Sequence, residues 1–221
     1  NTRIRRIMPG LKALVAARAK IIILTHFGRP KGKIVPDLSI QPVADCMAKL
    51  LGQPVVVETD VIGNGGAAAV AALQSGNILM MENLRFYPEE EANDQGFAEK
   101  LAALGDIYIG DAFSCAHRAH ASIDALPRLI PAAAGQSFAA ELNALHAALA
   151  VPQRPLGAVV GGSKVSSKIA LLENLVTKVD GLILGGGMAN TFLLAQGIQI
   201  GASLAEPDMV AMAKTIMAKA D

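Results

Sequence analysis

The sequence predicts an α/β protein of two parallel-sheet lobes with helices on both faces, the second lobe incomplete. Three observations lead there. Apolar, β-rich runs alternate with helix-period segments along the whole chain. Those runs are apolar at consecutive positions, the pattern of strands buried on both faces. A break with two prolines, "VPQRP" at 151–155, divides the alternation into a longer and a shorter series.

In chain order, "KIIILT" (20–25) reads as a strand and "SIQPVADCMAKLLG" (39–52) as a helix. "PVVVE" (54–58) is the next strand and "GGAAAVAALQSG" (65–76) the next helix. "NILMM" (77–81), "FAEKLAALG" (97–105) and "DIYIG" (106–110) follow as strand, helix and strand. A helix over 136–150 carries Leu142, Leu145 and Leu149, and leads into the break. Beyond it come the strands "LGAVV" (156–160) and "GLILG" (181–185), each running into glycines and a helix. The expected division is 1–135, a connecting helix and hinge over 136–154, and 155–221, both lobes being Rossmann-like.

Composition narrows the function classes. Of 221 residues, 52% are hydrophobic, so a substantial core is available. A net charge of +1 and 4% aromatics give no global attraction to nucleic acid or acidic membrane. No apolar run approaches the roughly 20 residues of a membrane span. Cys46 and Cys115 stand in unrelated contexts outside any CxxC, which points to a reduced, cytoplasmic compartment. The chain opens on Asn1 in a charged "NTRIRR" and stops just after a helical pattern, so a fragment is expected.

Three strand exits share one chemistry. Strand 20–25 exits into "THFGRPKG" with His26 and Arg29, and strand 77–81 into "ENLRFYPEE" with Arg85. Strand 106–110 exits into "DAFSCAHRAHAS" with His117, Arg118 and His120. Carboxyl ends of parallel strands lie on one edge, where ligands bind, so these loops should converge. A lone loop arginine is usually a solvated surface group; three together predict an anion site, because the guanidinium fork pairs with phosphate or carboxylate. His117 and His120, with Asp111 and Cys115 nearby, have metal-like spacing, but Arg118 between them would repel a cation, so no metal site is assigned. His146 reads as a surface or packing residue of its helix.

"AVVGGSKVSSKIALLENL" predicts a second anion site. A strand runs into Gly161 and Gly162, and a helix is expected to start near Ser163–Val165 with Lys164 and Lys168 on one face. "LILGGGMANTF" repeats the strand–glycine–helix junction, though either junction alone could be a packing turn. Two anion sites on two lobes suit an enzyme moving phosphate between anionic substrates. A nicotinamide oxidoreductase would need G-x-G-x-x-G followed by an acid, and neither cluster fits. A nucleic-acid-binding module would need basic stripes with interleaved aromatics, which are lacking.

These segments, with "TRIRRIMPGLKAL" at 2–14, occur in the order seen in phosphoglycerate kinases, and the chain strongly resembles that family along its whole length. The resemblance covers somewhat over half of a family chain; the first strand with its Asp-x-Asn loop and the rest of the nucleotide domain are absent. It implies the glycolytic transfer of phosphate between 1,3-bisphosphoglycerate and ADP, giving 3-phosphoglycerate and ATP, with Mg2+ accompanying the nucleotide. It implies a cytoplasmic monomer with no nucleic-acid or membrane partner, inactive as this piece alone. Carried over by residue, the triose site is Arg3, His26, Arg29, Arg85, Arg118 and His120, with His117 nearby. Arg3 and Lys164 match the groups on the transferring phosphoryl. Gly162, Ser163, Lys164, Lys168, Gly186 and Gly187 match the nucleotide side. Gly110, Ser163, Ser167 and Asn190 depart from the usual family residues, which touches local loop geometry and nucleotide contacts.

Overall fold

The structure, a computed structural model, describes residues 2–220. It divides into two compact units, Asn1–Leu142 and Asn143–Asp221. The division falls inside α6 (Gln136–Leu149), within the expected connector.

In the first unit α1 (Thr2–Ala16), β1 (Ile21–Ile23), α2 (Gln41–Leu51), β2 (Val55–Glu58), α3 (Asn64–Ala72) and β3 (Ile78–Met81) follow in order. Next come the single turn α4 (Pro88–Glu91), α5 (Gln95–Ala102), β4 (Tyr108–Gly110) and β5 (Ala132–Ala134). β3 lies between β1 and β2 and runs parallel to both, with Ile78 opposite Ile21 and Val55. Alternate side chains of a strand point to opposite faces. Ile78 and Met80 pack with Met8 and Leu11 of α1 and with Ala44 and Met47 of α2. Leu79 and Met81 pack on the other face with Phe97 and Leu101 of α5 and with Leu126. All four residues of β3 are buried, which is why the run is apolar throughout. α5 starts at Asp94, whose Oδ1 accepts the Phe97 N–H at 2.7 Å, a side-chain cap on the free amides of the first turn.

Three points differ from the sequence reading, the first being α1, over a stretch to which no helix was assigned. The strands of the first unit form two ladders, β1-β3-β2 and β4-β5, instead of one sheet. β5 was not foreseen: it is three exposed alanines held by backbone pairing to β4. Alanine has weak strand preference, so side-chain pattern carries no signal there.

The second unit pairs β6 (Gly157–Gly161) with β7 (Gly181–Gly185) in parallel, accompanied by α7 (Ile169–Leu175), α8 (Gly187–Ala195) and α9 (Val210–Ala218). Val160, Leu172, Met188, Phe192 and Ile216 form its core on one face of the ladder. On the other face the paired residues Val159 and Ile183 are 76% and 63% exposed, so this lobe has helices on one side only among the described residues. No described helix is long and apolar enough to cross a membrane.

Candidate functional site

The exits of β1 and β3 lie side by side because the two strands are paired. Thr25 C=O accepts the Leu84 N–H at 3.1 Å. Asn83, wholly buried, donates from Nδ2 to the carbonyls of Phe27 (2.7 Å) and Leu38 (2.8 Å). Its Oδ1 accepts the Arg85 N–H at 3.1 Å. Buried Glu82 accepts the N–H groups of Ile40 and Asn83 on Oε1 and the Ser39 hydroxyl on Oε2, each at 2.7 Å. Gly28 sits at φ +66°, and a Cβ there would come within 2.7 Å of Leu38 Cδ2, so the turn favours glycine.

That frame fixes Arg85. Its side chain is 3% exposed, and Nη1 donates to the Gly28 carbonyl at 3.0 Å. Nε lies 3.3 Å from Glu91 Oε1, an ion-pair distance without hydrogen-bond alignment, so Nε and Nη2 have no hydrogen-bond partner. Buried cationic donors left unpaired are costly, and a bound anion would satisfy them.

His26, half-buried, reports the convergence. Burial first, then the charges of Arg85, Arg118 and His120, lower its pKa from 6.5 to about 4. At neutral pH it is therefore an uncharged donor and acceptor in the neighbourhood of basic side chains. The loop carrying Arg118 and His120 is held by Glu90, 2% exposed, which accepts the Ser122 hydroxyl at 2.6 Å and the Ser122 N–H at 3.0 Å. Glu90 Oε1 also lies 3.9 Å from His120 Nδ1, and Arg118 Nε is buried without a partner.

The structure thus brings together His26, Arg85, Arg118 and His120, although β4 belongs to a different ladder from β1 and β3. Arg3, on the first turn of α1, Arg29 and His117 are exposed and make no hydrogen bond or ion pair with these four among the described residues. Sequence reasoning missed Glu82, Asn83, Glu90 and Glu91. For Glu82 and Asn83 the signal was present in "ENLRFYPEE": polar residues directly after a wholly apolar strand need buried partners.

In the second unit the helix does not begin at Ser163–Val165. α7 starts at Ile169, and Lys168 precedes it with non-helical φ −133° and ψ 12°. Lys164 and Lys168 therefore lie on a loop, not on one helical face. The serines between them explain the delay, since their short side chains bind local backbone and distant acceptors instead of allowing helix. Ser167 Oγ donates to the Lys164 carbonyl at 3.0 Å, and Ser166 turns to Glu206. Lys168 Nζ folds back to the Gly161 carbonyl at 2.8 Å, while Lys164 is exposed.

The second glycine junction is as expected: β7 ends at Gly185 and α8 begins at Gly187. Gly186 has φ +69°, and a Cβ on it would lie 2.8 Å from the Gly162 carbonyl oxygen. The Met188 N–H donates to that same oxygen at 2.9 Å, so the two glycine loops are stitched together. Ser163 is exposed, and its carbonyl lies close to Gly187, where a Cβ would come within 3.1 Å of it. The result is a backbone-lined shelf with two lysines and no ion pair to either among the described residues, a suitable surface for phosphate.

No group of three or more His, Cys, Asp or Glu that could hold a metal occurs among the described residues. The shelf offers cations and N–H donors, the wrong set for magnesium, which prefers oxygen ligands. No residue here is assigned to that ion.

A family model described as "Phosphoglycerate kinase" matches residues 1–221. The chain belongs to the phosphoglycerate kinase family. Among similar proteins, the phosphoglycerate kinase of a Ruegeria species is 57% identical over 221 residues, covering 100% of this chain and 56% of the relative. That of Sinorhizobium medicae is 52% identical over 220 residues, covering 100% of this chain and 55% of the relative. The solved phosphoglycerate kinase of Coxiella burnetii superposes with a TM-score of 0.88 at 42% identity, covering 100% of this chain and 55% of its own. That of Pyrococcus horikoshii gives 0.83 at 28% identity, covering 99% and 57%. The chain thus spans about half the length of the phosphoglycerate kinases it matches.

Proposed function

We propose that the full natural chain containing this sequence transfers phosphate reversibly between 1,3-bisphosphoglycerate and ADP, giving 3-phosphoglycerate and ATP. The observation that carries this reading is Arg85: a buried guanidinium with two unpartnered nitrogens, beside a neutral His26 and two further basic side chains. Such a pocket is organised for a small, multiply charged anion before that anion arrives. In this reading His26, Arg29, Arg85, Arg118 and His120 hold the triose phosphate in the domain 1–135. The loop at Gly162–Lys168 and the turn at Gly186–Gly187 hold the nucleotide phosphates in 155–221.

An acyl phosphate is a reactive donor, so positioning and charge neutralisation are the main requirements. Arg3 and Lys164, both exposed and without ion pairs among the described residues, are suited to meet the moving phosphoryl from opposite substrates. Water must be kept out while it moves, which calls for closure about the 136–154 connector. Magnesium would arrive with the nucleotide, its ligands being phosphate oxygens. The proposal extends to a cytoplasmic, monomeric enzyme.

Arg85→Met tests the reading. Because the change also strips the Gly28 carbonyl and Glu91 of a partner, some loss of thermal midpoint is expected, and binding is compared at a temperature where both proteins are folded. The substitution should weaken 3-phosphoglycerate binding on the order of a hundredfold, measured by titration calorimetry. Unchanged affinity would remove Arg85 from the site and the main support for the triose assignment.

A further inference from the structure

The loop carrying Lys164 and Lys168 is not held by its own helix, because α7 begins only after it. Its anchor comes from 40 residues downstream. Glu206 accepts the Ser166 hydroxyl on Oε1 at 2.6 Å and the Ser166 N–H on Oε2 at 3.0 Å. Ser166 lies midway between the two lysines, so both carboxylate oxygens grip the centre of the loop. The Ser166 bonds, then the Val165 N–H and last the nearby Lys164 charge, hold the Glu206 carboxyl below its ordinary range.

Glu206 is itself fixed from α8. Its N–H donates to Thr191 Oγ1 at 3.0 Å, and Thr191 is wholly buried. Asn190 Nδ2 donates to the Leu204 carbonyl at 3.0 Å, which holds the same segment two residues earlier. α8 is the helix that starts at the Gly186–Gly187 turn. A continuous path therefore runs from one glycine junction, through Thr191 and Glu206, to the lysine loop of the other. The carboxylate is engaged by Ser166 and makes no ion pair with Lys164 or Lys168 among the described residues; Lys164 stays exposed, and Lys168 Nζ rests on the Gly161 carbonyl.

We propose that Glu206 is a positioning residue for phosphate binding: it sets the lysine loop in register with the Gly186–Gly187 turn without ion-pairing either lysine. This rests on the reading of that loop as the nucleotide-phosphate site. Glu206→Gln replaces one acceptor by an NH2 facing a donor and removes the charge. Ser166→Ala removes the shorter bond and leaves the N–H bond in place.

The test measures KM for ADP, kcat, and calorimetric affinity for 3-phosphoglycerate in the full natural chain. Glu206→Gln should raise the KM for ADP roughly tenfold with triose affinity unchanged. Ser166→Ala should raise it by a smaller factor, and the double variant should be no worse than Glu206→Gln alone, because both act through one contact. Loss of kcat in proportion to folded fraction, with the KM for ADP unmoved, would reduce Glu206 to a fold-stabilising residue and overturn the proposal. Lys164→Met and Lys168→Met separate the two claims. If they leave the KM for ADP unaltered, the nucleotide reading of the loop fails and takes this proposal with it. If they raise it while Glu206→Gln and Ser166→Ala do not, the positioning role alone is wrong.

Discussion

The two candidate anion sites are built from opposite materials. In the first unit the key cation is a side chain, Arg85, 3% exposed and framed by buried Asn83 and Glu82. In the second unit the surface is backbone: Gly162, Gly186 and Gly187 in close approach, with lysines reaching in from a loop. The first arrangement desolvates its charge in advance and gains a rigid, selective pocket. The second leaves Lys164 in water, rests Lys168 on a backbone carbonyl, and relies on glycine for close approach of the backbone. Binding in the first should therefore depend on side-chain identity, and in the second on the absence of a Cβ.

The largest test of that contrast sets an exposed cation against a buried one. Arg3→Ala in the full natural chain should lower kcat on the order of a hundredfold while changing triose affinity by less than about threefold. Arg85→Met should do the reverse. Equal loss of kcat and affinity in Arg3→Ala would mean that exposed and buried arginines play the same part. Steady-state kinetics with calorimetry measures both.

A backbone test comes next in size. Gly186→Ala places a Cβ against the Gly162 carbonyl in a left-handed turn, and should cost about 2 kcal/mol of stability in denaturant titration. A loss below about 0.5 kcal/mol would show that the glycine contact is slack and would blur the distinction between the sites.

The smallest effect concerns His26. Its pKa is about 4 in the folded protein against 6.5 for an ordinary histidine. Between those values the unfolded chain holds a proton that the folded one does not. Stability should therefore fall as pH drops from about 6.5 to about 4, and this contribution should level off below that. The loss should be no more than about 2 kcal/mol once solvent screening is allowed for. Melts of the parent and of His26→Gln across this range isolate it, because the carboxylates are common to both. Bound 3-phosphoglycerate should raise the His26 pKa, seen as a shift of its imidazole resonances.

Much of this was legible before any coordinates. The strand "NILMM" announced burial on both faces, and α2, α3 and α5 formed where helix-period segments were read. Arg85, Arg118, His26 and His120 were picked out by where they stand after strands. The failures have specific causes. Ala132–Ala134 became a strand because a neighbouring backbone edge was free, which three small side chains cannot signal. The helix after Gly162 was placed too early because a four-residue lysine spacing looks helical, while Ser166 and Ser167 divert the backbone. Glu90 and Glu206 escaped because their partners lie 32 and 40 residues away.

By itself the sequence determined the α/β class, the two series of strands and helices, the family, and which residue types stand at the strand exits. These are local properties, set by periodicity, turn chemistry and short-range spacing. Only the tertiary structure decided which charges are buried, which donors lack partners, and that a distant carboxylate anchors the lysine loop. Those depend on contacts between segments far apart in the chain, where burial alters the strength of every charge and hydrogen bond.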